Sequence, residues 1–139
     1  MAFADNTTGG RIIKEGLRPC KVTLAGTVKV GDLIGYNSGW VAADMNSSPK
    51  VYAELVAGSG GVSGDVVAAY REVIIDFGSA CTATVGDRIY ASSTAGVYDG
   101  SALNDQGQCV GIMTTAQQAF VNPAYAFPNF KFPNTEYTI

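Results

Sequence analysis

The chain has 139 residues, with nine Lys or Arg, twelve Asp or Glu and no His, for a net charge of -3. Charged residues make up 15% of it, well under the usual rough quarter, and its 17 glycines are close to double the usual share. Without His there is no Ser-His-Asp or Cys-His catalysis, no His-ligated zinc and no imidazole acid–base step; the acidic balance argues against a general nucleic-acid binder, and no apolar run reaches the ~20 residues of a membrane span.

The length suits one domain with an arm or a tail. The first residues, Met1-Ala2-Phe3-Ala4-Asp5-Asn6, carry neither the basic start nor the apolar stretch of a secretory signal, so cytoplasmic production is expected. Residues 1–29 hold five cations (Arg11, Lys14, Arg18, Lys21, Lys29) against Asp5 and Glu15, a net +3. The remaining 110 residues hold four cations against ten acids, a net -6. A basic leader thus precedes an acidic body. The leader shows no helical period and reads as an extended arm over residues 1–19. Ile12, Ile13 and Leu17 alternate with Arg11, Lys14 and Arg18, and a purely solvated arm has no need of them. These six residues are the expected contacts with a partner or a neighbouring subunit.

Residues 20–121 read as one all-β domain, a small Gly-rich barrel or sandwich of short antiparallel strands. Val22–Leu24, Leu33–Tyr36, Trp40–Ala43, Val51–Val56, Val66–Tyr70, Val73–Phe77, Arg88–Tyr90, Val97–Tyr98 and Val110–Thr114 are rich in β-branched or aromatic residues. Gly, Asn, Asp and Ser bound each of them. Hairpin turns are expected at Asn37-Ser38-Gly39 and at Ser92-Ser93-Thr94-Ala95-Gly96. Thr114–Ala119 is the one candidate for a short helix. A single turn pattern recurs at Gly31-Asp32, Gly64-Asp65 and Gly86-Asp87, each opening a strand. Gly supplies a conformation closed to other residues and Asp hydrogen-bonds the backbone beside it. Residues 122–139 form an extended tail. The stretch from Phe120 holds six of the fourteen aromatics and three of the five prolines, whose spacing excludes a helix. A tail this aromatic should dock, and Phe127, Phe130 and Phe132 are its expected anchors.

No catalytic set emerges. Gly58-Ser59-Gly60-Gly61-Val62-Ser63-Gly64 lacks the Lys-Ser/Thr of a phosphate loop, because Asp65 follows, and reads as a hairpin loop. The Gly-Asp carboxylates are explained by their turns. Cys20, Cys81 and Cys109 match no zinc or disulfide spacing and read as small hydrophobes within strands. Asn6-Thr7-Thr8 and Asn46-Ser47-Ser48 fit the glycosylation sequon but no signal precedes them. Trp40 beside the Asn37-Ser38-Gly39 turn is a candidate sugar platform, with packing in the core or hairpin the favoured role. No metal, cofactor or small-molecule substrate is expected, and neither is a nucleic acid or membrane partner.

Val30-Gly31-Asp32-Leu33-Ile34 with Gly39-Trp40-Val41, and Val85-Gly86-Asp87-Arg88-Ile89-Tyr90 with Gly96-Val97-Tyr98, resemble the head decoration, or cement, proteins of tailed bacteriophages. Cys109-Val110-Gly111-Ile112-Met113 is similar to that family's closing strand. The resemblance spans about residues 12–115, and the tail after Phe120 lies outside it. It implies a non-enzymatic virion protein, made in the host cytoplasm, that sits on the capsid exterior. Its partners would be the major capsid protein and itself, as a homotrimer, and its task would be stabilising the lattice. A carbohydrate- or receptor-binding β module on a virion, and a tail or connector component, are the alternatives.

Overall fold

In the computed structural model, residues 11–78, 81, 83–92, 94–100 and 108–124 are described. They form nine strands and no helix. In chain order these are β1 (Ile12–Thr23), β2 (Leu33–Tyr36), β3 (Trp40–Ala42), β4 (Leu55–Ala57), β5 (Val66–Asp76), β6 (Arg88–Ala91), β7 (Tyr98–Asp99), β8 (Cys109–Met113) and β9 (Gln118–Val121). All paired strands are antiparallel, in the order β3-β2-β4-β5-β9-β8-β6-β7, with β1 on the other edge of β5. The sheet curls into a half-barrel, so the all-β expectation holds. Its two ends approach each other through backbone bonds from Leu33 N–H to Gly96 O, Gly96 N–H to Ala43 O and Met45 N–H to Ser92 O.

The apolar residues gather in two clusters. One holds Leu33, Val56, Val73, Ile75, Ile89, Tyr98, Val110, Met113 and Val121 among others. The second holds Val22, Leu24, Val28, Ile34, Leu55, Ala57, Val67 and Ala69, with Trp40 packed against it. Neighbours Leu33 and Ile34 face different clusters, as do Val56 and Leu55. β2 and β4 are therefore buried on both faces, which is why they read as continuous apolar runs.

β5 serves both clusters in succession. Val67 and Ala69 lie in the second, Val73 and Ile75 in the first, although strict alternation would keep all four on one face. The switch falls at Tyr70–Glu72. Opposite it, Arg18 of β1 has φ +57° and sits between the pairs Leu17–Glu72 and Pro19–Tyr70. A left-handed residue there lets the two-stranded ribbon change the face it presents.

Three expectations are corrected by the backbone. Residues 114–119 are not a helix: Thr115 Oγ1 accepts the N–H groups of Gln117 and Gln118, at 3.1 and 2.9 Å, and β9 starts at Gln118. A threonine side chain that takes neighbouring donors holds a turn instead. The strands expected at Val66–Tyr70 and Val73–Phe77 are one strand, β5. The arm expected over 1–19 is, from Ile12 onward, a strand running unbroken past Pro19 to Thr23. Proline is tolerated because β1 lies at a sheet edge, where a missing donor breaks no ladder.

Candidate functional site: the N-terminal strand and its anchor

The three Gly-Asp turns share one construction. In Lys29–Asp32, Val62–Asp65 and Thr84–Asp87 the Asp N–H donates to the first residue's carbonyl at 3.0 Å in each case. The Asp carboxylate accepts the first residue's N–H in return, at 2.8, 2.8 and 3.2 Å. Gly31, Gly64 and Gly86 have φ of +81°, +97° and +93°, as the third position of a type II turn requires. The sequence reading of these six residues therefore describes their geometry.

The first turn does more than the other two. Asp32 is buried, and its Oδ1 accepts a hydrogen bond from Arg11 Nη2 while Oδ2 takes the Lys29 N–H. Arg11 is only 4% exposed. Its Nη1 reaches Gly31 O at 3.4 Å and Gly96 O at 3.5 Å, and its guanidinium lies 5.8 Å over the Tyr98 ring. Tyr98 O–H donates to Gly31 O at 2.8 Å, and its ring meets Phe77 edge-on. Burial raises the Tyr98 phenol far above its ordinary pKa, against the pull of Arg11, so it stays a donor. Gly96 completes the enclosure: a Cβ there would come within 2.7 Å of Asp32 Cγ. The ion pair thus joins the start of β1 to the first turn and to the β6–β7 hairpin, where the ends of the sheet approach.

The six leader residues part company in the structure. Arg11 faces inward and is spent within its own chain, so it leaves the expected contact surface. A cation heading a polar leader reads as solvated, and nothing local marks its partner 21 residues on. Ile13 is half-buried against the first cluster. Ile12 and Leu17 are 57% and 45% exposed. Lys14 and Arg18 are exposed beside them, and Arg18 Nε sits 3.5 Å from Glu72 Oε2. Lys14 is the extra residue of a bulge between Ile13 and Glu15. β1 therefore exposes Ile12, Leu17, Lys14 and Arg18, with Glu15 among them. Phe127, Phe130 and Phe132 lie outside the described residues.

Among the described residues no three His, Cys, Asp or Glu gather in a way that could hold a metal. Burial pushes the Cys109 thiol up, away from a reactive thiolate. Sequence reasoning missed two features that depend on tertiary placement: the Arg11 anchor, and an edge-to-face pair of exposed Tyr36 and half-buried Trp40 at the β2–β3 hairpin. The spacing of Tyr36 and Trp40 about a three-residue turn was the available signal for the second. The fold and site define a small antiparallel half-barrel with an anchored N-terminal strand. No protein-family model matches the chain, and no curated protein matches it.

Proposed function

We propose that this chain is a structural virion protein that binds the outer surface of a phage capsid and stabilises its lattice, a decoration or cement protein. The observation that carries the reading is the exposed set on β1. Ile12 and Leu17 stand out beside Lys14 and Arg18 on a strand whose first residues are pinned by Arg11 and Ile13. A strand held in place loses little entropy on docking, and its apolar–basic mix suits an acidic, partly apolar seam between capsid subunits. The reading is non-enzymatic, with the major capsid protein and further copies of this chain as partners. Trimeric presentation would raise binding by avidity without added contacts per chain.

The test is co-sedimentation with purified phage heads, read beside light scattering of the free protein. Binding to expanded heads and not to free coat subunits is expected. An Ile12→Asp, Leu17→Asp double variant that stays folded should lose binding by at least about a hundredfold, since each side chain removes ~1.5 kcal/mol or more of apolar burial. A monomer that never sediments with heads would sink the proposal, and rings in the electron microscope would point to a tail or connector component.

A further inference from the structure

We infer that the β2–β3 hairpin is a binding site for a neutral saccharide, independent of the capsid reading. Tyr36, on β2, is 59% exposed. Tyr36 and Trp40 face each other across the hairpin, with ring centroids 5.5 Å apart and planes at 74°. Trp40 rests its inner side on the second cluster, which fixes it. The Tyr52 carbonyl backs Gly35 on the opposite face of β2, so close that a Cβ there would lie 2.0 Å away.

The hairpin is tied down at its turn and against residue 25. Asn37 N–H donates to Gly39 O and Ala25 N–H to Trp40 O, both at 2.8 Å. A side chain at Gly39 would meet Ala25 Cβ at 2.5 Å, so the turn is seated directly on residue 25. Ser38 holds φ +59°. An aromatic platform held in this way binds without first paying to be ordered.

The surrounding chemistry selects the ligand class. The hairpin itself, residues 33–42, holds no Lys or Arg and so supplies no counter-charge for phosphate or sulfate. The groups at hand are the Tyr36 hydroxyl, the Asn37 amide, the Ser38 hydroxyl and the exposed Glu54 carboxylate, whose Oε2 is 3.5 Å from Tyr36 N. Neutral donors and acceptors beside aromatic faces match a pyranose, which offers a C–H face for stacking and hydroxyls around its rim.

Trp40 is the chain's one tryptophan, so its fluorescence and indole N–H signal report on this hairpin alone. The experiment titrates the full chain with maltohexaose, cellohexaose and a neutral galacto-oligosaccharide, with a sulfated oligosaccharide as control. At least one neutral sugar should shift both signals at millimolar concentration and the sulfated one should not. Tyr36→Ala should weaken that binding by about tenfold or more, while Tyr36→Phe, which keeps the ring, stays within a few-fold of the parent. Unmoved signals for every neutral sugar would overturn the assignment. So would a sugar that binds Tyr36→Ala as well as the parent. Loss of head binding by Tyr36→Ala with no sugar response would make the hairpin a protein contact and equally overturn it. Failure of the saccharide titration leaves the β1 co-sedimentation result untouched, and the converse also holds.

Discussion

Arg11 shows how far a residue's role can lie from its local sequence. Its guanidinium is held by Asp32, Gly31 and Gly96 and covered by Tyr98, while its Nε has no partner among the described residues. A buried pair repays its desolvation only in part, but removing one member strands the other. Arg11→Ala should therefore cost about 3–5 kcal/mol by denaturant unfolding. A combined Arg11→Met, Asp32→Asn protein should lose clearly less than the two single losses added, because no unpaired charge is left behind. Strict additivity would remove the pair from the account. The glycines offer a second contrast. Gly64 has φ +97° and open space around it, so Gly64→Ala should cost about 1–2 kcal/mol from backbone strain alone. Gly96→Ala adds a collision with Asp32 to a φ of +78° and should cost distinctly more. Equal losses at the two sites would mean that Gly96 is not wedged against the ion pair.

At the scale of elements, what was legible in the sequence was local. The Gly-Asp turns were readable because the two bonds that define each close within four residues, and so was the hairpin that joins Tyr36 to Trp40. Residues 114–119 were misread because periodicity does not register a threonine side chain intercepting helix donors. The start of β1 was hidden because its partner residues lie about sixty residues on and its own pattern is irregular, bulged at Lys14 and left-handed at Arg18. The three turns share a construction but not a setting. Asp87 is exposed, so Asp87→Ala should cost about 0.5–1.5 kcal/mol, the worth of one hydrogen bond to the backbone. Asp32→Ala loses the same bond and also strands Arg11, so it should be several-fold worse. Thermal unfolding of the two variants side by side decides this, and similar melting points would show that the first turn is no more than a turn.

The whole molecule has an alkaline weakness built into its core. Burial raises the phenols of Tyr98 and Tyr90 above the ordinary 10.0 and the thiol of Cys109 above 9.0. In the unfolded chain these groups ionise at their ordinary values, while in the folded chain they keep their protons. Their contribution to stability is fully present below the unfolded values and is lost as the pH climbs above them. Unfolding midpoints in guanidinium should thus hold steady near pH 8 and fall between about pH 9 and pH 11. Tyr98→Phe should flatten part of that fall while lowering stability throughout, since the bond to Gly31 O is gone. A midpoint that ignores pH over this range would contradict the buried phenols.

The anchor of β1 also sets an order of events during synthesis. Residue 11 is made long before its partners: the start of β1 has nothing to pair with until Asp76 exists, and Arg11 has no complete enclosure until Gly96 and Tyr98 exist. The start of the first described strand is therefore among the last parts to be seated. Until then its apolar and basic side chains travel unpaired, and the nascent chain carries them before it has a body to hold them.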